Sequence, residues 1–466
     1  MNLFFARLDM SYIYAFLGEA TLALTFIFYI ALARVLGPEQ YGIFAAAIAL
    51  AGVLSLFIQF GFPALLGRNV AANPLTGAKS TLTFLLLEIV NSLAVLLFLF
   101  PITQILGFEG TGVLVCYLVV LSEVCRSAKL TLKRVLRGIN EFSTETLSVS
   151  LERVCTYGLA GAVLFWTQSI VWVIVTIILV RLIDVLGLIY YISRKTQIFS
   201  SLNWQDCWQS WRIAYPFAVS GVLWILYYQL DMLTLQWLAP SIETGLYGAS
   251  YRIIEIFSAL PRVIFYVTFT KFASYHATQP EKLPGEIYKS TRLLIAGVLP
   301  IIIIAGLCVD PLVSILYGES FELAVNSLSI LIPSLGIKLF GSLVQRFLES
   351  TGRERLLPPL LLGTVIVNIV TNIILIPYLG AVGAAIATVL SEIILALVGL
   401  FLIARLGYQD IGWRLQKIAC LSLLAASIPS LIRVGLPPLA GAVLILVSLL
   451  SIAMLMRQKA FLATSG

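Results

Sequence analysis

The side chains best able to do chemistry in this sequence are ionisable residues set inside apolar runs. The cations are Arg126, Arg153, Arg181, Arg252, Arg262 and Lys338, and the acids are Glu19, Glu88, Asp231 and Glu392. A charge at the centre of a hydrocarbon layer costs about 2.5–3.5 kcal/mol on insertion scales, so such a residue is kept against a partner or a water-filled cavity. Glu123 with Arg126, Arg181 with Asp184, Arg252 with Glu255 and Arg346 with Glu349 are spaced i,i+3 and share a helical face. Each reads either as a structural ion pair or as a cation that an anionic substrate can capture. Lys338 and Arg262 have no acid three or four residues away, and Arg153 has only its sequence neighbour Glu152, which points elsewhere. Arg126, Lys129, Lys133 and Arg137 form one cationic stripe that runs from mid-membrane to the surface. The last two can snorkel, whereas the first two are too deep for snorkelling alone. The four acids lack a local partner, and are available to pair across helices or to bind a proton or a sodium ion. Pairing between helices is the expected reading.

Metal and nucleophile chemistry have no constellation to work with. The sequence has a single histidine, His276, in a polar connector, so no Ser, His and acid set can be assembled without it. No cofactor and no enzymatic activity are expected. The cysteines, among them Cys116, Cys125, Cys155, Cys308 and Cys420, lie mostly in apolar runs and read as small packing residues.

The elements that carry these residues must be membrane helices. Of 466 residues 60% are hydrophobic and 11% charged, where a soluble domain is about one quarter charged. Apolar runs of about 20 residues recur along the whole chain, each long enough to cross the hydrocarbon as a helix. The spans read as 11–34, 40–66, 79–101, 111–136, 145–166, 169–193, 212–238, 245–272, 288–309, 323–349, 356–379, 383–405, 413–433 and 435–456, about fourteen helices. Lys and Arg concentrate in alternate connectors, as at Lys133 to Arg137, Arg194 and Lys195, Lys271 to Lys289, and Arg353 and Arg355. The intervening connectors offer Glu109, Glu243 or Asp310, with Arg34 and Arg433 as exceptions at their edges. This asymmetry predicts an inner (plasma) membrane protein with both termini cytoplasmic. The first apolar run, without a cleavage site, should remain as the first helix. The formal charge of +7 follows from those connectors, and nucleic acid is not an expected partner. Trp204, Trp208 and Trp211 in the 196–211 connector read as an interfacial turn or an aromatic belt.

An internal repeat organises the spans. ARVLGPEQYGIFAAA, from Ala33, is echoed by LQWLAPSIETGLYGAS, from Leu235, so that Gly42 aligns with Gly245 and Phe44 with Tyr247. Both copies join a first helix to a second. An even number of helices per half puts the pseudo-two-fold axis along the membrane normal. The expected divisions are a six-helix half at 1–200, a second at 201–405, and two additional helices at 406–466. Deep cations outnumber deep acids in both halves, so a cavity between them would be electropositive and suit a diphosphate, which Arg holds by paired hydrogen bonds. A cavity for cationic drugs would need the reverse balance.

The stretch LARVLGPEQYGIFAAAIALAGVLSLFIQFGFPALLGRNVA, with Asp231 to Arg252, LYGESFELA, ESTGRER and IPYLGAVGAAIATVLS, resembles the polysaccharide biosynthesis proteins. These are Wzx-type flippases of the multidrug/oligosaccharidyl-lipid/polysaccharide exporter superfamily. The motifs cover nearly the whole chain in order. The resemblance implies a V-shaped bundle of two six-helix halves around a central cavity that alternates between inward- and outward-facing forms. It implies an undecaprenyl-diphosphate-linked oligosaccharide as cargo, with the lipid bilayer, glycosyltransferases and a polymerase of the same pathway as partners. Two other functions compete. A cation-coupled multidrug antiporter of the same superfamily would use Glu19, Glu88 and Asp231, whereas a membrane polymerase or glycosyltransferase would need a long external loop or a surface acidic cluster, which the sequence lacks.

The topology predicts that Glu243 and Glu319 face outward and Lys282 and Arg353 face the cytoplasm. Single cysteines at those four positions, in a background without native cysteines, should react with an impermeant thiol reagent in intact cells only at 243 and 319. Labelling at 282 from outside would reverse the orientation.

Overall fold

The computed structural model describes residues 10–196, 204–258 and 260–433, with a few positions between 445 and 452. Side chains are described in these ranges except at 10–20, 22, 75–76, 204–207, 216–220 and 260–267. The side chains of Glu19 and Arg262, and most of the expected span 435–456, therefore lie outside the described residues.

Every long element among the described residues is an α-helix. In order they are α1 (Met10–Gln59), α2 (Phe62–Ala72), α3 (Pro74–Ala78), α4 (Thr81–Ile105), α5 (Thr111–Gly138), α6 (Phe142–Thr167), α7 (Ile170–Lys195) and α8 (Trp204–Leu238). There follow α9 (Ser241–Phe257), α10 (Leu260–Thr278), α11 (Leu283–Leu307), α12 (Val309–Tyr317), α13 (Ala324–Ser350), α14 (Leu357–Leu379), α15 (Ala381–Arg405) and α16 (Gln409–Arg433). Eight stretches among the described residues are long and apolar enough to cross a membrane. The exposed faces of the helices are largely apolar, and polar side chains are drawn to the buried faces. On α4, for example, Leu93, Leu97 and Phe98 are more than half exposed while Glu88, Ser92 and Thr103 are buried. That pattern suits hydrocarbon, where lipid covers the apolar face and charges must be kept within the protein. The chain is an all-α multi-pass membrane protein.

It divides into two compact units, Met1–Gly245 and Leu246–Gly466. In the first, α5 packs on α1, α2, α4 and α7, and α6 packs on α1 and α7. An apolar cluster of Phe62, Leu66, Val70, Phe84, Leu132, Leu136 and Leu188 joins α2, α4, α5 and α7 at one end. In the second, α13, α15 and α16 pack together, with α14 on α15 and α11 on α16.

Two expected spans turn out to be broken. The run 40–66 stops at Phe60 and Gly61, both with positive φ (43° and 78°), and restarts as α2 with Pro63 near its N-terminus. The run 245–272 ends with α9 and restarts as α10, where Pro261 holds the corresponding place. Proline has no N–H to give the preceding turn but is tolerated in the first turn of a helix, so each apolar run contains two helices. α1 bends at Gly37, whose φ of 76° and ψ of 172° interrupt the helix before Pro38. That bend separates the first two expected spans. The tryptophan segment is the start of α8, where Trp211 stacks on Phe60 at 4.0 Å between centroids.

The repeat glycines meet within the first unit. A Cβ on Gly42 would lie 1.9 Å from the Ser241 carbonyl oxygen, and one on Gly245 would lie 1.8 Å from that of Pro38. Only a residue without a side chain permits this backbone approach. Gly363, on α14, has nothing within 4 Å of the same position. Gly42→Ala should therefore lower the thermal unfolding temperature of the purified protein, while Gly363→Ala leaves it unchanged or raises it through better helix propensity. Equal unfolding temperatures for Gly42→Ala and the wild type would remove the close approach.

Candidate functional site

The site forms where α5, α6 and α7 bring their ionisable faces together inside the first unit. α5 presents Glu123, Arg126, Lys129, Lys133 and Arg137 at successive three- and four-residue steps, so these side chains stack along one face. α6 answers with Glu145 and Glu152, two turns apart, and α7 with Arg181 and Asp184.

Lys129 lies at the centre, with only 7% of its side chain exposed. Its Nζ is 2.9 Å from Glu152 Oε2 and 2.7 Å from Asp184 Oδ2, and it donates to the Ser148 carbonyl at 3.3 Å. Asp184 Oδ1 accepts from the Ser148 hydroxyl at 2.8 Å. Toward the end of α5, Lys133 Nζ is 3.2 Å from Glu145 Oε1, and Arg137 Nε donates to both Glu145 oxygens at 3.0 and 2.8 Å. Glu141, in the connector before α6, accepts from Lys195, Thr144 and Tyr191. The Lys195 ammonium, followed by these hydroxyls, holds its carboxyl below the usual range.

At the other end of the ladder the pairing loosens into a cavity. Arg126 grips Glu123 on its own helix, its Nε donating at 2.8 and 2.7 Å to the two oxygens. Arg181 donates from Nη1 to the Ser122 hydroxyl at 2.8 Å and lies 3.4 Å from Glu152 Oε1. Glu123, Arg126 and Arg181 line a cavity of about 210 Å³ together with Ser122, Tyr29, Phe44, Tyr157 and Gln229. Tyr29 lies between Phe44 and Tyr157 with centroids 6.1 and 6.5 Å away, so one wall is aromatic. Pockets for drug-sized ligands run from about 300 to 1,000 Å³. This one is below that range.

Two of the predicted cavity cations, Arg126 and Arg181, thus meet in one place. Arg153, one residue past Glu152, points away from it and donates to Thr21 Oγ1 on α1 at 3.2 Å. The i,i+3 pairs Glu123 with Arg126, Arg252 with Glu255 and Arg346 with Glu349 are formed. Arg181 and Asp184 take different partners instead: the buried Lys129 draws in Asp184 and Glu152, and Arg181 reaches Glu152 from the cavity side. The α5 stripe is therefore not a row of free cations but one side of an ion-pair ladder. Glu145 and Glu152 were not singled out from sequence, although their i,i+7 spacing on α6 matches the spacing of Lys129 and Arg137 closely enough to have suggested it. Tyr29, Tyr157 and Gln229 carried no signal, because isolated aromatics and a glutamine are common in any membrane helix.

The remaining candidates are dispersed. In the second unit Lys338 on α13 is 3.4 Å from Glu392 on α15, with 15% and 3% of their side chains exposed, and its ammonium lies over the Tyr251 ring at 5.9 Å. Glu392 thus pairs across helices. Arg252 is held by Glu255 at 2.5 Å. Arg433, an exception to the charge asymmetry, pairs with Asp310 at 3.0 Å and Ser329 at 2.8 Å. Glu88 is buried, with one oxygen accepting from Thr131 at 2.5 Å, and Asp231 is buried on α8.

Residues 11–276 match the family described as polysaccharide biosynthesis protein. The chain belongs to that family. It is 22% identical over 394 residues to a Haloferax volcanii protein described as a probable low-salt glycan biosynthesis flippase, covering 82% of this chain and 81% of the relative. It is 21% identical over 398 residues to a candidate O-antigen transporter of Shigella flexneri, covering 80% and 92%. Among solved structures, the lipid II flippase MurJ in an inward closed conformation superposes with a TM-score of 0.69 at 13% identity, over 95% of this chain and 97% of that one. At that identity the likeness is one of fold. This family member thus shares a polytopic transporter fold, and its ladder sits on α5, α6 and α7.

Lys129 should be the costliest ladder member to neutralise, since Lys129→Gln takes from the buried Asp184 its one salt-bridge partner among the described residues and leaves Glu152 with Arg181 alone, 3.4 Å away. Removing one partner of a buried pair costs about 3–5 kcal/mol. Folded protein recovered from membranes should fall sharply for Lys129→Gln and little for Lys133→Gln, whose partner Glu145 keeps Arg137. Normal yield and unfolding temperature for Lys129→Gln would contradict the ladder.

Proposed function

We propose that this protein is a flippase that carries an anionic polyprenyl-diphosphate-linked oligosaccharide from the cytoplasmic to the outer leaflet of the inner membrane by alternating access, for cell-surface polysaccharide export. The observation that carries this reading is the sign of the α5–α7 cavity. Two guanidinium groups, Arg126 and Arg181, face it against one carboxylate, Glu123, beside an aromatic wall. Guanidinium groups hold phosphate oxygens by paired, charge-assisted hydrogen bonds, and aromatic rings suit the apolar faces of sugars. A cationic drug would meet the wrong sign. The relatives' descriptions, a glycan biosynthesis flippase and an O-antigen transporter, point to the same cargo class.

In this mechanism the protein forms no covalent bond to its cargo. It replaces the water around two phosphates with fixed donors while the polyprenyl tail stays in lipid. Arg126 and Arg181 form the primary headgroup site, and Arg153, Arg252, Arg262 and Lys338 are further contacts during transit. Glu19, Glu88, Asp231 and Glu392 are reserved for ion coupling or for pairing between helices; Glu392 is engaged by Lys338. The halves 1–200 and 201–405 are two copies of one six-helix plan, with 406–466 added, and both termini are cytoplasmic. The pathway's glycosyltransferases supply the cargo and its polymerase consumes it.

Arg181→Gln is the cleanest test, because Glu152 keeps Lys129 at 2.9 Å and no acid is stranded. A charge-assisted hydrogen bond contributes about 1.5–3 kcal/mol, so glycan export should fall about tenfold or more at unchanged membrane protein level. Unchanged export by Arg181→Gln would exclude this cavity as the headgroup site.

A further inference from the structure

We infer that an anionic headgroup entering the α5–α7 cavity brings a proton with it, and that Glu123 is the group that receives it. The inference rests on the headgroup reading and adds the ion that accompanies the headgroup.

Glu123 differs from every other acid in the ladder in the number of cations it can keep. Glu152 is shared between Arg181 and Lys129, Asp184 is held by Lys129 and Ser148, and Glu145 is held by Lys133 and Arg137. Each of these retains a cation when a ligand captures an arginine. Glu123 has Arg126 alone as its salt-bridge partner among the described residues. The pair is also unequal in exposure: 43% of the Arg126 side chain is accessible against 11% for Glu123. The guanidinium can therefore swing to a phosphate, while the carboxylate stays where it is.

Among the described residues, the neighbours offer Glu123 no replacement cation. α1 presents Tyr29 and Phe44, α6 presents Tyr157, and α8 presents Gln229, all without charge. On α6, Arg153 is turned to Thr21 and Glu152 is itself an acid. On α7, Arg181 is the second phosphate ligand and Asp184 belongs to Lys129. On α4, Glu88 is tied to Thr131, two turns further along α5. A carboxylate left in this setting costs more than one that takes a proton from cavity water. The exchange is balanced: the anion replaces Glu123 as the partner of Arg126, and Glu123 gains one proton. Ligand departure reverses both steps, so binding and proton uptake are linked.

The test uses the full-length protein in nanodiscs and farnesyl diphosphate as probe, with farnesol as the uncharged control. Titration calorimetry in two buffers of different ionisation enthalpy counts protons taken up per ligand. The ligand's own protonation is common to all variants, so the difference between them is read. Wild type should take up about one proton more than Glu123→Gln, and its affinity should fall relative to that variant as the pH rises. Arg181→Gln should bind more weakly yet keep the extra proton, since Glu123 still loses Arg126; this covers the case in which Glu123→Gln does not fold. Binding with equal proton counts in wild type and Glu123→Gln, or without the extra proton in Arg181→Gln, overturns the linkage and leaves the headgroup site standing. Failure of wild type to bind the diphosphate above the farnesol control overturns the site and the linkage together.

Discussion

Lys129 is the fixed point of the first unit, because an ammonium with 7% of its side chain exposed can be kept in hydrocarbon only by acids brought from elsewhere. Two acids answer it, Glu152 from α6 and Asp184 from α7, and with them three helices are fixed in depth and rotation. The apolar contacts around this centre do not discriminate one register from another, since lipid is as apolar as leucine and a sliding helix loses little. The ion pairs do discriminate. A one-turn slip of α6 would move Glu145 and Glu152 away from Arg137, Lys133 and Lys129 together.

The cavity is what remains when the ladder runs out of acids. From the surface inward, Arg137, Lys133 and Lys129 each find a carboxylate on another helix, until Arg126 turns back to Glu123 on its own. Arg181 adds a further positive charge that shares Glu152 with Lys129. The imbalance is therefore local, and it coincides with the aromatic wall of Tyr29, Phe44 and Tyr157. The second unit handles charge differently: Lys338 and Glu392 neutralise one another across α13 and α15.

Backbone constraints complete the scaffold. Gly42 and Gly245 let two helix ends approach until a methyl group would collide with a carbonyl oxygen, and the prolines at 63 and 261 divide two long apolar runs into paired helices. The two glycines align in the internal repeat, and each proline is the second residue of the helix that restarts.

The sequence by itself determined the class of molecule: a chain 60% hydrophobic, with recurring apolar runs and alternating basic connectors, can only be a bundle of membrane helices. It also determined the local pairs, Glu123 with Arg126 and Arg252 with Glu255, because i,i+3 contacts follow from helix geometry alone. The breaks at Phe60 and after Phe257 were legible in Pro63 and Pro261, yet hydropathy reads through them, since it sums side chains and ignores a missing N–H. Only the tertiary structure decided which acids meet the α5 stripe. Asp184 lies three residues from Arg181 and would serve it in an isolated helix, but the packing of α7 on α5 sets it against the more deeply buried Lys129, and the more desolvated charge takes the nearer acid. Lys338, without an acid within reach on its own helix, is matched by Glu392 from α15 for the same reason. Which deep cations are spent on structure and which are left for a ligand is a property of helix packing in a medium that cannot solvate charge, and no spacing along one helix contains it.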